Sequence, residues 1–142
     1  MLSKSSKYAI RAVIFLSINS DENNKLSPIE IARSIEIPAP FIAKILQELT
    51  KRGLISSLKG RGGGFYLTKK NKKNSLISVV ESIDGVDKFQ ECMLGLPVCS
   101  DINPCPIHHA ITPLRKNLIA QLTYKTIDEL ASEVKVGKTN LI

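Results

Sequence analysis

IPAPFIAKILQELTKRGLISSLKGRGGGFYLTK, residues 37–69, carries the pattern that decides the fold of this 142-residue chain. Its first half has apolar residues at helical spacing, and Gly53 follows them, as glycine commonly does at the end of a helix. Two short runs come next, LISSLK and FYLTK, separated by the turn GRGGG at 60–64. The pattern predicts a helix followed directly by a β-hairpin. The apolar helical positions are Phe41, Ile42, Ile45, Leu46 and Leu49.

The segment before this stretch predicts a second, shorter helix. In LSPIEIARSI, residues 26–35, Ser27 can cap a helix, Pro28 suits its first position and Glu30 completes a capping box. This helix is expected to end near Ser34, because EIPAP follows it. Two short helices joined by a tight turn form a helix-turn-helix, and a hairpin after them makes a winged helix.

Three more helices are predicted around this motif. Apolar residues at 3.6-residue spacing predict a first helix over 6–18, at Ala9, Ala12, Val13 and Leu16. A helix is predicted from Ile77 to Ile83, with a capping box between Ser78 and Glu81, and a short last helix starts with a box between Thr126 and Glu129. Residues 136–142 are expected to form a frayed tail. The predicted fold is mainly α with a small β-hairpin.

A long helix is predicted near the C-terminus, where apolar residues recur almost at the spacing of a coiled coil. Pro113 either kinks this helix or begins a new one that Thr112 caps. We expect three regions: a winged helix over 1–84 with its own apolar core, a loop over 85–109, and a dimerisation helix and tail over 110–142. The apolar positions are Ile107, Ile111, Leu114, Leu118 and Leu122.

The positive charge is concentrated in the helix and hairpin. The chain carries a formal charge of +7, yet nine basic residues and only Glu48 lie between Lys44 and Lys73. From Glu81 to Asp101, five acids face one lysine. A local excess of this kind indicates a surface for a polyanion, here double-stranded DNA. The residues expected to contact DNA are Pro38, Pro40, Lys44 and Gln47 on the helix and Lys59 and Arg61 on the hairpin.

The chain lacks the pattern of a membrane or secreted protein. Its N-terminal apolar run is interrupted by Arg11, and no run reaches the roughly 18 apolar residues of a membrane span. An odd number of cysteines argues against a disulfide framework. We therefore expect a cytoplasmic protein.

All three cysteines lie in one proline-rich segment, at Cys92, Cys99 and Cys105, and the only two histidines follow at His108 and His109. Three buried thiols fit poorly in an irregular loop. Three cysteines and a histidine are a common zinc set, but the spacings are longer than those of zinc knuckles. An iron-sulfur cluster tolerates ligands spread along a loop. An enzyme with Cys105 as nucleophile and His108 as base is a further alternative, but no orienting group or oxyanion-hole motif supports it, and we expect no enzyme.

The sequence resembles the Rrf-two family of bacterial regulators, the IscR and NsrR group. The segments YAIRAV, LSPIEIA, residues 37–69, SVVESIDG and the three-cysteine loop carry this resemblance, which covers nearly the whole chain. Lys7 stands near the place where some nitric-oxide-sensing relatives have an acidic ligand, and Ala43 stands where IscR-like proteins have a glutamate.

The resemblance implies a homodimeric winged-helix transcription factor that binds a pseudo-palindromic operator. Its cluster ligands would be Cys92, Cys99, Cys105 and, by the IscR pattern, His108 rather than His109. A 2Fe-2S cluster is favoured over 4Fe-4S, and the signal would be iron-sulfur status, redox state or nitric oxide. The alternative is a zinc-stabilised or cluster-independent winged-helix repressor.

Overall fold

The computed structural model describes residues 2–141, in which it contains seven α-helices and one antiparallel β-hairpin. The predicted fold class, mainly α with a small hairpin, is confirmed. The helices are α1 Lys4–Asn19, α2 Pro28–Ser34, α3 Ala39–Lys51, α4 Lys69–Lys72, α5 Leu76–Asp84, α6 His108–Tyr124 and α7 Ile127–Lys135, and the strands are β1 Ser56–Leu58 and β2 Gly64–Tyr66.

Helix α1 lies at the centre of the core because its apolar stripe packs against α3, α5 and α7. The stripe is buried as its spacing predicts, at Ala9, Ala12, Val13 and Leu16. The helix begins two residues before the prediction. The Ser3 hydroxyl caps it by accepting a hydrogen bond from the Ser6 amide at 3.0 Å.

The helix-turn-helix forms as predicted. Helix α2 has the full capping box between Ser27 and Glu30. In the turn, Glu36 adopts a left-handed φ of 54°, which costs a residue with a side chain more than it costs glycine. Helix α3 has Pro38 as its N-cap residue, and Gly53, with φ 74°, follows its C-terminal end.

The hairpin is shorter than predicted at both ends. Leu54 and Ile55, predicted to start the first strand, are buried before β1 begins, and Thr68, predicted within the second, instead caps α4. Phe65 also exchanges two backbone hydrogen bonds with Leu26, at 3.0 and 2.8 Å. The backbone therefore approaches closely at Gly64, where a Cβ would lie 2.8 Å from the Leu26 carbonyl oxygen.

One predicted capping box is wrong, and one of the two alternatives for Pro113 is excluded. Helix α5 starts after Ser75, so Ser78 lies within the helix, and its hydroxyl lies 3.0 Å from that of Ser75. Helix α6 passes through Pro113 without a new start, and the Thr112 hydroxyl donates to the His108 carbonyl at 2.8 Å. The capping box that opens α7, between Thr126 and Glu129, is confirmed.

The core extends beyond the predicted winged-helix region. Ile127 and Ala131 of α7 are buried in the same cluster as α1, so the prediction of a core lying wholly before residue 84 is wrong. A smaller cluster joins the loop to α5 and α6 through Leu76, Val80, Phe89 and Leu122. The division of the chain into a DNA-binding region, a loop and a dimerisation region, with bounds at residues 84 and 110, stays a prediction.

The C-terminal segment is ordered through residue 141. The amides of Gly137 and Lys138 donate back to the carbonyls of Val134 and Glu133 in α7, and Leu141 packs on the core. The predicted fraying is therefore wrong for 136–141, and Ile142 lies outside the described residues. Within residues 2–141, no helix is both long and apolar enough to span a membrane.

Candidate functional site

The predicted DNA-contact residues are all exposed on α3 and the hairpin. The apolar stripe of α3 is buried, which turns Lys44 and Gln47 outward, and Pro38 and Pro40 are exposed at its N-terminal end. Lys59 and Arg61 are exposed on the turn between the strands. Winged-helix proteins bind DNA through such a helix and turn, and a contact by each residue stays a prediction.

Two side chains that sequence analysis missed support this surface. The Arg11 guanidinium donates to the Ile35 carbonyl, which ties α1 to the turn before α3. The Lys25 ammonium lies 5.2 Å from the centre of the Tyr66 ring, which places a further cation near the base of the hairpin.

The wing turn depends on glycine. The Gly63 amide donates to the Gly60 carbonyl at 3.0 Å, and a Cβ at Gly63 would overlap the Leu58 carbonyl oxygen. The tip therefore folds back tightly and carries Arg61 on a narrow loop.

The second candidate site is a small pocket at the start of α6. Cys92, Cys99, Cys105 and His108 all line it. The loop enters through a turn in which the Gly95 amide donates to the Cys92 carbonyl, and the His108 amide donates to the Cys105 carbonyl as α6 begins. The structure thus brings the four predicted ligands to one place, although they are up to 16 residues apart in sequence.

His108 is held between a thiol and a carboxylate. Its Nδ1 lies 3.4 Å from the Cys99 sulfur, and its Nε2 lies 2.8 Å from Oδ1 of Asp101. Because an ionised carboxylate only accepts, the hydrogen of this bond belongs to Nε2, and Nδ1 is the ring nitrogen that faces Cys99. His108 is buried, whereas His109 is exposed beside it.

Arg115 and Asp101 belong to this site and were missed by sequence analysis. Arg115 donates to the Cys99 sulfur at 3.3 Å and to the Glu91 carbonyl at 2.9 Å. A helical wheel would have found Arg115, because seven residues after His108 place it on the same face of α6. Asp101 had no such signal, since it lies in the irregular loop.

Local hydrogen bonds make the Cys92 thiol more acidic than an ordinary cysteine. Hydrogen bonds from the backbone amides of Leu96 and Leu94 lower the pKa of Cys92, against burial, and the Cys105 side chain adds a further hydrogen bond. The hydrogen bond from His108 lowers the pKa of Asp101. Thiolate is the form that binds metals.

The donor set fits a soft metal group, although the arrangement is not closed around one. Cys99 faces His108, and Cys92 faces Cys105, so the donors form two pairs. Among residues 2–141, no three His, Cys, Asp or Glu residues are grouped so as to hold a metal ion. Ligation by all four donors would require the loop to close further around the pocket.

A larger cavity of about 300 Å³ adjoins this pocket. Its walls combine Phe89 and Met93 of the loop with Ile111, Leu114 and Leu118 of α6, and it shares Cys92 and Arg115 with the pocket. Leu114 is 61% exposed, whereas Leu122, predicted to belong to the same seam, is buried inside its own chain.

The helix-turn-helix, the two-stranded wing and the exposed cations define a winged-helix regulator of the kind that binds DNA. The chain belongs to the Rrf2 family, described as "Iron-dependent Transcriptional regulator", whose model matches residues 2–133. The resemblance predicted from sequence is thereby confirmed, and the protein is a transcriptional regulator rather than an enzyme.

Similar proteins agree with this assignment. A protein of Aquifex aeolicus (strain VF5), assigned to the HTH-type transcriptional regulators, is 35% identical over 92% of this chain and 90% of its own. The HTH-type transcriptional regulator NsrR of Oceanobacillus iheyensis is 30% identical, covering 93% of this chain and 86% of its own. The solved structure of T. potens IscR superposes with a TM-score of 0.74 at 16% identity, covering 98% and 91%, which shows the shared fold.

Proposed function

We propose that this protein is a cytoplasmic homodimeric regulator whose binding to double-stranded DNA is controlled by an iron-sulfur cluster. Cys92, Cys99, Cys105 and His108 would hold the cluster. The observation that carries the proposal is that every cysteine in the chain and one buried histidine line a single pocket. The similarity to NsrR and IscR proteins supports it.

The residues around the pocket have distinct tasks. Asp101 fixes the ring of His108, and Arg115 places a positive charge beside the Cys99 sulfur. When bound, a cluster supplies a centre that responds to iron supply, redox state or nitric oxide. Arg115 also bonds to the Glu91 carbonyl, so it joins the loop to α6 at two points, Glu91 and Cys99. A change at the pocket would therefore reach α6 directly.

Helix α6 would transmit this change to the DNA-binding surface through the dimer. Its exposed Leu114 lines one cavity with the exposed Met93, and the loop carries further exposed apolar residues. Such surface is costly in a monomer. A twofold dimer would place two α3 helices in successive major grooves of a pseudo-palindromic operator. The exposed loop residues are Met93, Leu94, Leu96, Val98 and Ile102.

The test is anaerobic reconstitution with iron and sulfide of the parent and of single alanine variants. Changing Cys92, Cys99 or Cys105 should abolish the visible absorbance of the cluster, and His108→Ala should leave a more labile cluster. His109→Ala is the matched control, because His109 is the exposed neighbour and should behave like the parent. Helical circular dichroism should persist in all variants, and a full cluster signal in any cysteine variant would refute the ligand set.

The second candidate is a zinc-stabilised or cluster-independent regulator. It is favoured by the same donors, since three thiolates and one imidazole suit zinc. The two candidates differ in colour and in iron content. A colourless protein that retains zinc after anaerobic reconstitution with iron and sulfide would favour the second candidate.

A further inference from the structure

Asn71 is a buried polar residue that lies outside both candidate sites. Its exposed fraction is only 6%, and it is the third residue of the short helix α4. Four lysines flank it in the sequence. So many charged neighbours predict an exposed segment, and a buried amide is unexpected there. The lysines are Lys69, Lys70, Lys72 and Lys73.

The side chain of Asn71 joins three parts of the DNA-binding unit. Its Oδ1 accepts hydrogen bonds from the Ser56 hydroxyl at 2.8 Å and from the amide and hydroxyl of Thr68, each at 2.9 Å. Its Nδ2 donates to the Gly53 carbonyl at 3.3 Å. Gly53 follows the end of α3, Ser56 begins β1, and Thr68 follows β2.

These bonds bear on the angle between α3 and the wing. A two-stranded hairpin alone is only marginally stable, so its direction is set by what holds its base. Asn71 is hydrogen-bonded to the start of β1, to the residue Thr68 that follows β2, and to the end of α3. A small tilt at the base would be magnified at the turn, where Lys59 and Arg61 are exposed.

We propose that Asn71 is a positioning residue that fixes the wing relative to α3 so that both elements engage DNA together. This inference rests on the proposed DNA contact of the wing. Removing the side-chain amide of Asn71 would also leave its partners without these hydrogen bonds, which costs stability. The test must therefore separate positioning from folding.

The experiment compares binding of the full-length parent and variants to a duplex that the parent selects from a random-sequence library. Asn71→Ala should weaken binding about tenfold, the scale of one lost buried hydrogen-bonding group. Ser56→Ala removes only one bond to Asn71 and should weaken binding about threefold. Ser57→Ala is the matched control, because Ser57 is the exposed next residue of β1 and should bind like the parent.

A double-mutant cycle with Arg61→Ala distinguishes positioning from general destabilisation. If Asn71 acts through the wing, Asn71→Ala should have little further effect once Arg61 is removed. The inference would be overturned if Asn71→Ala reduced DNA affinity equally in the presence and in the absence of Arg61. It would also be overturned if Arg61→Ala weakened binding while Asn71→Ala and Ser56→Ala both bound like the parent. Parent-like binding by both Lys59→Ala and Arg61→Ala would instead remove the wing contact of the proposed function, and this inference with it. If only Arg61→Ala binds like the parent, Lys59→Ala takes its place in the cycle. If Asn71→Ala does not fold, Ser56→Ala replaces it in the double-mutant cycle with Arg61→Ala, and Ser57→Ala remains the control.

Discussion

At the level of single residues, the arrangement of the cysteine pocket depends on side chains that are not among its proposed ligands. His108 has two possible tautomers, and Asp101 selects the one whose free nitrogen faces Cys99. Partners of this kind orient a ligand and raise its basicity. The chemistry of the pocket is therefore set by a residue that is itself exposed to solvent.

Replacing Asp101 should weaken the proposed cluster site without disturbing the fold. Asp101→Asn removes the charged acceptor for Nε2 and should shorten the lifetime of a reconstituted cluster in air about tenfold. The decay of visible absorbance measures this lifetime. Asp87→Asn, another exposed acid of the same region, is the control, and equal lifetimes for parent and Asp101→Asn would contradict the assigned role.

Asp84 links the start of α1 to the end of α5. Its carboxylate accepts hydrogen bonds from the hydroxyls of Ser3 and Ser6. Burial acts to raise the pKa of Asp84, but these bonds and the Ser3 amide outweigh it, so the pKa lies below its ordinary value of 3.8. A lowered pKa means that the ionised carboxylate stabilises the folded state.

This stabilisation should be lost in acid. It is present in full above pH 3.8 and disappears as the pH falls through the lower pKa of the folded state. Asp84→Ala should therefore be less stable than the parent at neutral pH, and the difference should shrink at lower pH. Free energies of unfolding measured by urea titration across this range provide the test, and a constant difference would contradict it.

At the scale of elements, the turn between α2 and α3 contains a strained residue. Glu36 is the one non-glycine residue among 2–141 with a positive φ. Its left-handed conformation is cheap for glycine and costly for residues with a Cβ. Helix α3 therefore begins just after a turn whose backbone strain a glycine would relieve.

Glu36→Gly should raise the stability of the protein by about 0.5 to 1 kcal/mol, because relief of the strain exceeds the added freedom of the unfolded chain. Chemical denaturation measures the change. Glu22→Gly, at an exposed turn residue without a positive φ, serves as the control and should be neutral or destabilising. A destabilised Glu36→Gly would show that the Glu36 side chain makes a compensating contribution.

Local signals in the sequence predicted several helix starts correctly. They failed where a contact between residues far apart in the chain determines where an element begins. The boxes at Ser27 and Thr126 are formed within a few residues, so the sequence alone indicated them. The start of α5 is different, because the Leu76 amide donates to the Lys125 carbonyl, which lies far along the chain. The burial of Asn71 was missed for the same reason, because Gly53 and Ser56 reach its side chain only in the fold, although its box with Thr68 is local. Asp101 was missed because it lies in an irregular loop without a periodic pattern.

At the scale of the whole molecule, the core and the cysteine pocket are joined through α6. Helix α7 packs into the core beside α1, and the loop is attached to α5 and α6 through Phe89 and Leu122. In the proposed dimer, the remaining face of α6 and the cavity beside Cys92 would contact a second copy of the chain. We expect dimerisation and the state of the pocket to be coupled for this reason.

Leu114→Glu should convert the proposed dimer to a monomer, because the seam cannot bury a charge without a partner. Sedimentation at micromolar concentration measures the change. Thr123→Glu is the matched control, since Thr123 is exposed about two and a half turns further along α6, on its opposite face. A parent that sediments as a monomer would contradict the dimer, and a dimeric Leu114→Glu would place the interface elsewhere.

The most direct test of the central claim is the DNA affinity of one preparation with and without its cluster. The protein is reconstituted anaerobically, its iron and sulfide are measured, and binding to the selected duplex is compared before and after chelation of the iron. We predict a change in affinity of at least about fivefold, the usual lower range of coupling between two sites. We also predict that Cys99→Ala binds with the chelated protein's affinity under both conditions. Equal affinities for parent with cluster and parent without it would contradict the claim.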